Sequence, residues 1–210
     1  MKNLRSEIVK YAKMLNTKNL SALRSGNISA RYKEGFLITP SGAVYASLKN
    51  KDIVFVSLKG VFDKKKGIPS SEWRFHQDIY LNKIDAKAIV HAHSNCATAV
   101  STHGKGIPAF HYMVAMAGGN NIRCAKYATY GTRELSINIL KALIKRNACL
   151  IGNHGQIAFS ENLSKAFELA EEVENLSNQY INALKIGKPK ILSSKEMSKV
   201  LGKAKNYKRG

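Results

Sequence analysis

An α/β layered domain is the fold class this sequence predicts. Three observations lead there. Segments with apolar residues at helical spacing alternate with short β-branched runs, Pro, Gly, Ser and Asn punctuate the joins, and 210 residues with 44% hydrophobic side chains suffice for one core. A single domain is expected over 1–210, with a Lys-rich tail from about residue 190 that is only loosely attached.

The elements follow in chain order. Leu4, Ile8, Tyr11, Ala12 and Leu15 recur at helical spacing and predict a first amphipathic helix. Gly26 to Arg31 leads into Gly35 to Thr39, a strand that stops at the turn Pro40-Ser41-Gly42, and Asp52 to Val56 reads as another strand. Lys64 to Gly67 is an exposed loop. Pro69-Ser70-Ser71 then carries the start signal of a helix bearing Trp73, Ile79 and Tyr80. Lys87 to His93 is a β-branched run. Thr132 is placed to cap a helix with Leu135, Ile139, Leu140 and Leu143 inward. Asn147 to Gly152 and Gln156 to Phe159 form a hairpin across Asn153-His154-Gly155. A long helix from Leu163 to Leu184 ends at Gly187-Lys188-Pro189.

Composition narrows the class of function. The chain has 34 Lys+Arg against 14 Asp+Glu, a formal charge of +20. Lys supplies 26 of those 34, scattered along the chain with few aromatics between them, whereas bidentate base readout calls for Arg. A solvated Lys-rich surface that attracts small anions is the reading adopted, rather than a nucleic-acid footprint. No apolar run reaches the roughly 18–20 residues that span a bilayer, and the N-terminus lacks an apolar signal core, so a soluble cytoplasmic protein is expected. Cys96, Cys124 and Cys149 are odd in number and widely spaced, which suggests neither a disulfide framework nor a thiolate zinc site.

Three groups of residues could carry chemistry. His91-Ala92-His93 sits at the end of a strand, where alternation sends both imidazoles to one side, a spacing suited to a divalent metal. His154, at a turn, could add a third nitrogen, although a lone turn histidine is more often a hydrogen-bonded surface residue. His76, four residues after Glu72, reads as a packed or capping residue, and His103 and His111 carry no spacing signal. Ser70 and Ser71 offer hydroxyls and free amides at a helix N-terminus, where a phosphate would be favoured, although plain capping explains one of them. Ser25-Gly26-Asn27 and Pro40-Ser41-Gly42 could turn further amides on the same anion. Glu72 beside them is either a partner of the helix dipole or a general base.

The order of these motifs resembles the class II aldolase/adducin family, in particular its fuculose-phosphate aldolases. The resemblance is carried by Gly26-Asn27-Ile28-Ser29, Leu37 to Gly42, Pro69 to His76, His91-x-His93, His111-Tyr112-Met113, Tyr127 to Thr132 and Asn153-His154-Gly155, and runs from the first helix nearly to the C-terminus. It implies a mixed, mainly antiparallel sheet between helical layers. It implies Zn²⁺, one per subunit, held by His91, His93, His154 and Glu72, the last leaving when substrate arrives to act as base. It implies a phosphate pocket of Gly26, Asn27, Ser41, Gly42, Ser70 and Ser71. It further implies a homotetramer with sites at subunit interfaces, Tyr112 as proton donor from the neighbouring subunit, and Tyr207 closing over the site. The activity implied is reversible cleavage of a ketose 1-phosphate to dihydroxyacetone phosphate and a small aldehyde.

Two departures bear on the substrate. Leu23-Arg24 stands where the family's aldolases usually carry glycine and a small hydroxyl, and Ile122-Arg123-Cys124-Ala125-Lys126-Tyr127 lacks two usual prolines near the aldehyde end. Lactaldehyde, glycolaldehyde and a methylthio analogue all fit, since choosing among small groups turns on about 1–3 kcal/mol. Alternatives within the fold are a pentulose-phosphate 4-epimerase and a methylthioribulose-phosphate dehydratase; the glutamate of Ser70-Ser71-Glu72-Trp73 favours the aldolases, because the epimerases resemble Ser-Ser-Asp there. Alternatives of a different functional class are a non-catalytic interaction domain, as in adducin, and a nucleic-acid module.

Overall fold

The structure is a computed structural model that describes the backbone of residues 2–207 and the side chains of 4–203. Helix α1 (Lys2–Thr17) precedes the hairpin β1 (Asn27–Tyr32) and β2 (Gly35–Ile38), then β3 (Val54–Ser57), α2 (Trp73–Asn82), β4 (Ala88–Ala92) and α3 (Asn95–Ser101). A 3₁₀ helix (Tyr112–Ala117), β5 (Arg123–Ala125), α4 (Arg133–Ala142), the hairpin β6 (Ala148–Ile151) and β7 (Gly155–Ser160), α5 (Leu163–Ile186) and α6 (Ser194–Tyr207) follow. The strands build one seven-stranded sheet in the order β3-β2-β1-β4-β7-β6-β5. Every pairing is antiparallel except β5 with β6, so the sheet is mixed and mainly antiparallel, as the resemblance implies.

Strand alternation divides the core into two layers. Ile28, Leu37, Val90 and Ala158 face α1, α3 and α5 through Ile8, Leu15, Val100 and Phe167. Phe36, Ile38, Ile89 and Ile157 face α2 and α4 through Phe75, Ile79, Leu135 and Ile139. Five consecutive buried residues in β4 explain its uniformly apolar start: it is central, covered on both faces. His91 and the β1 residues Asn27 and Ser29 alternate onto the α2 face, and this places polar groups under the N-terminus of α2.

The expected caps form. Thr132 Oγ1 accepts from Leu135 N–H at 3.3 Å, and α5 stops at Gly187 with φ +147. Three features depart from the sequence reading. The tail is not loose: α6 packs Met197, fully buried, into the same core as α1 and α5. Helix α3 has Ser94 at its N-cap position, but that side chain makes no cap bond; its first-turn amides are met from far along the chain, where the two Glu174 carboxylate oxygens accept from the backbone amides of Cys96 and Ala97, each at 2.8 Å. Strand β5, three residues long, exists through its pairing with β6. Among the described residues no helix is long and apolar enough to cross a membrane, and all three cysteines are free.

Candidate metal centre and substrate pocket

The C-terminal end of β4 delivers His91 and, one step beyond the strand, His93; the β6–β7 turn delivers His154; the residue preceding α2 delivers Glu72. One donor atom from each of the four lies within 4.8 Å of the others. His91 Nε2 stands 2.9 Å from His93 Nε2 and 3.1 Å from Glu72 Oε2, and His154 Nε2 stands 3.2 Å from Glu72 Oε1. All four are less than half exposed, and His91 is fully buried.

Two backbone details hold the cluster in place. A Cβ on Gly155 would come 2.4 Å from the Ala92 carbonyl, so only glycine lets the His154 turn approach the end of β4. Gly26, at φ +76, sits against the His91 carbonyl and Ser21 Oγ, at 2.7 and 2.5 Å from an added Cβ. Ser21 Oγ in turn accepts from His93 N–H at 3.1 Å, tying that loop to the ligand strand.

The donor set fits a divalent cation. His91 Nδ1 lies 2.8 Å from the Gln156 carbonyl, which can only accept, so Nδ1 carries a proton and Nε2 is the nitrogen aimed at the cluster. Glu72 Oε1 is buried without a hydrogen-bond partner, with His154 Nε2 3.2 Å away. Four donors at about 2.0–2.2 Å from a shared centre stand roughly 3.3–3.6 Å apart in a tetrahedron, near the three short contacts of 2.9, 3.1 and 3.2 Å. Electrostatics agree. Burial would raise the Glu72 carboxyl, but the charges and contacts of His91 and His154 outweigh it and hold the group well below the usual carboxylate range. Burial, with repulsion from His91 and His154, holds His93 down to about 3, a neutral ring at ordinary pH.

Beside the cluster opens a pocket of about 370 Å³. Gly26, Asn27, Ser41, Gly42, Ser70 and Ser71 all line it, together with Arg24, Ser25, Tyr127 and Tyr130. Arg24 is exposed, and it is the one Lys or Arg among the described lining residues. Tyr112 is 53% exposed on the 3₁₀ helix and does not line the pocket within this chain. Tyr207 ends α6, and its side chain lies outside the described residues. A larger hollow of about 630 Å³ at the β1–β2 turn, bordered by Arg5, Lys33 and Phe55, holds none of these donors.

His76 is a packed residue, as read from the sequence, but with partners on both ring nitrogens, Ser29 and Asn27. Two contributors escape a sequence reading. Gln156 acts through its backbone carbonyl and carries no side-chain signal. The Asn27 side chain is committed to Glu72 and His76, from a strand 45 residues away from Glu72 in the chain.

A cluster of three imidazoles and one carboxylate beside a pocket of small hydroxyls, on this sheet, defines a class. The pattern of the class II aldolase and adducin N-terminal domain matches residues 6–181, and the chain belongs to that family. A 5-methylthioribulose-1-phosphate/5-deoxyribulose-1-phosphate aldolase of Rhodospirillum rubrum is 47% identical over 204 residues, covering 97% of this chain and 92% of the relative. An L-fuculose phosphate aldolase of Escherichia coli K12 is 50% identical over 184 residues, 87% of this chain and 85% of the relative. Among solved structures, an L-fuculose 1-phosphate aldolase superposes with a TM-score of 0.94 at 39% identity, covering 98% of this chain and 97% of that one.

Proposed function

We propose that the protein is a zinc-dependent aldolase that reversibly cleaves a ketose 1-phosphate into dihydroxyacetone phosphate and a small aldehyde. The observation that carries this reading is the meeting of Glu72, His91, His93 and His154 at the wall of a pocket lined by Ser41, Ser70 and Ser71. The relatives named for fuculose phosphate and for methylthioribulose and deoxyribulose phosphates share a ketose 1-phosphate substrate and differ at the aldehyde end, so the reading commits to what they share.

Zinc bound by these four residues would supply a Lewis acid that polarises a carbonyl and stabilises negative charge beside it. The chain's own groups do the rest. The Ser41, Ser70 and Ser71 hydroxyls, with amides from Gly26 to Asn27, of Gly42 and of Ser71, take the phosphate at the start of α2, with Arg24 as the cation at the rim; the Ser41 and Ser70 amides are committed to the Ile68 and Thr39 carbonyls. That anchors the ketose end and leaves the other end to meet Tyr127 and Tyr130. Glu72 exchanges the proton on the carbon that gains or loses the new bond. In cleavage a base must take the hydroxyl proton as the aldehyde forms, and in condensation the same group returns it; Tyr112 of a neighbouring subunit fills that role in a homotetramer, and Tyr207 closes over the bound substrate. The exposure of Tyr112 away from its own chain's pocket supports its service to another.

The test is a panel of ketose 1-phosphates, including L-fuculose, 5-deoxyribulose and 5-methylthioribulose 1-phosphates, with dihydroxyacetone phosphate detected by a coupled dehydrogenase. Release from at least one, lost on chelation and restored by zinc, is the expected outcome. Metal-loaded protein that releases dihydroxyacetone phosphate from none of them would refute the proposal.

A further inference from the structure

Behind the pocket a single file of polar side chains runs from Glu72 into the space between β1 and α2. Asn27 Nδ2 donates to Glu72 Oε2 at 3.0 Å, Asn27 Oδ1 meets His76 Nε2 at 2.5 Å, His76 Nδ1 meets Ser29 Oγ at 2.7 Å, and Ser29 Oγ meets Tyr80 Oη at 2.7 Å. Asn27, Ser29, His76 and Tyr80 are each at most 2% exposed. Glu72, His76 and Tyr80 are successive i, i+4 positions at and along α2, while Asn27 and Ser29 are i, i+2 neighbours on one face of β1. Helix and strand therefore interlock like a zipper, in the order Glu72, Asn27, His76, Ser29, Tyr80.

The chemistry of the groups fixes the direction of every bond. A carboxylate only accepts, so the Asn27 NH₂ faces Glu72 and its oxygen faces His76. That oxygen only accepts, so His76 carries its ring proton on Nε2. The neutral ring then accepts at Nδ1 from the Ser29 hydroxyl, and Ser29 accepts from Tyr80. All four bonds point toward Glu72. Such aligned chains polarise one another in a low-dielectric interior, and a core this dry tolerates polar groups only when each is satisfied. Beyond Tyr80 the file ends at Arg31, whose guanidinium lies 4.9 Å from the Tyr80 ring and donates to the Tyr80 and Ala86 carbonyls.

We propose that this zipper positions the carboxylate of the metal centre: His76, its tautomer set by Ser29 and Tyr80, locks the Asn27 amide so that only an N–H can face Glu72 Oε2. His76, Ser29 and Tyr80 are positioning residues that act through Asn27. Without the His76 proton the amide is free to turn its oxygen on the carboxylate, which repels it. The inference rests on the reading of Glu72 as a metal ligand.

The experiment uses chelator-stripped full-length protein titrated with Co²⁺ alone, followed by kcat and KM on whichever ketose 1-phosphate the panel identifies. His76→Leu is expected to weaken cobalt affinity and lower kcat by about 10–100-fold each, the usual effect of removing a partner that orients a metal ligand, with KM little changed. His76→Gln, which can still present an N–H to Asn27 Oδ1, should recover most of both. Ser29→Ala, which deletes one oxygen and keeps the histidine, should fall between, and it carries the test if His76→Leu does not fold. Wild-type cobalt affinity in folded Ser29→Ala and His76→Leu, or failure of Gln to recover affinity lost in a folded His76→Leu, would overturn the proposal. Because the cobalt titration needs no substrate, a wild-type protein that binds metal but cleaves no ketose phosphate refutes the functional reading while the titration still judges the zipper.

Discussion

Glu72→Gln separates what the carboxylate does from what its shape does. The amide nitrogen of the new side chain has two places to go. At the position of Oε2 it would face the Asn27 Nδ2 donor at 3.0 Å, two N–H groups opposed. At the position of Oε1 it faces His154 Nε2 at 3.2 Å, where nothing donates a hydrogen bond to the carboxylate. The nitrogen therefore takes the second place, the carbonyl keeps the Asn27 bond, and the fold persists. What is lost is the negative charge toward the metal and the basic oxygen. Removal of a general base costs about 10² to 10⁴ in turnover, which is roughly 3–5.5 kcal/mol of barrier. Initial rates of dihydroxyacetone phosphate release should be read beside metal content on the same samples and beside circular dichroism for the fold. Turnover within a few-fold of wild type at equal metal content would refute the assignment and move the base elsewhere.

Four further outcomes are expected. Arg24→Ala removes the cation at the pocket rim and should raise KM for a phosphorylated ketose by about tenfold with kcat nearly unchanged, the low end for a charge-assisted hydrogen bond at an exposed group; steady-state kinetics check it. Gly26→Ala combines a φ of +76 with contacts of 2.5 and 2.7 Å and should cost about 2–4 kcal/mol in urea unfolding, and a loss under about 0.5 kcal/mol would mean the loop yields freely. Burial, together with repulsion from His91, holds His76 down to about 3, so between that value and its unfolded pKa near 6.5 only the unfolded chain takes the proton. Stability of the metal-free protein should thus be complete above about pH 6.5 and fall toward pH 3, and His76→Gln should flatten the slope by about 1.4 kcal/mol per pH unit between roughly pH 6 and 4 in denaturant titrations. Tyr112→Phe should still exchange the carbon-bound proton of dihydroxyacetone phosphate while condensation drops by about 10² or more, and mixing it with His91→Ala subunits should restore activity; mixed oligomers that regain none would place Tyr112 outside any shared site.

The sequence by itself determined what depends on near neighbours. Helical spacing marked α1, α4 and α5, the start signal Pro69-Ser70-Ser71 marked α2, the Asn153-His154-Gly155 turn marked the β6–β7 hairpin, and alternation put His91 and His93 on one side. Each is set within a few residues by backbone geometry and one apolar face. Tertiary structure alone decided the rest. Helix α3 is capped by Glu174 from α5, and α6, although Ser193 caps it locally, is held to the core by burial of Met197; neither long-range contact can be read from nearby residues. His154 joins His91 and His93 only because β7 pairs with β4, and Asn27 reaches Glu72 and His76 only because β1 lies on the other side of β4, beneath α2. A side chain's type and spacing state which bonds it can make, but which partner it meets is set by sheet order and by the alternation that turns Asn27 and Ser29 toward one helix. Those are properties of contacts between segments some 45–65 residues apart, where loop closure and burial, not local propensity, choose the neighbour.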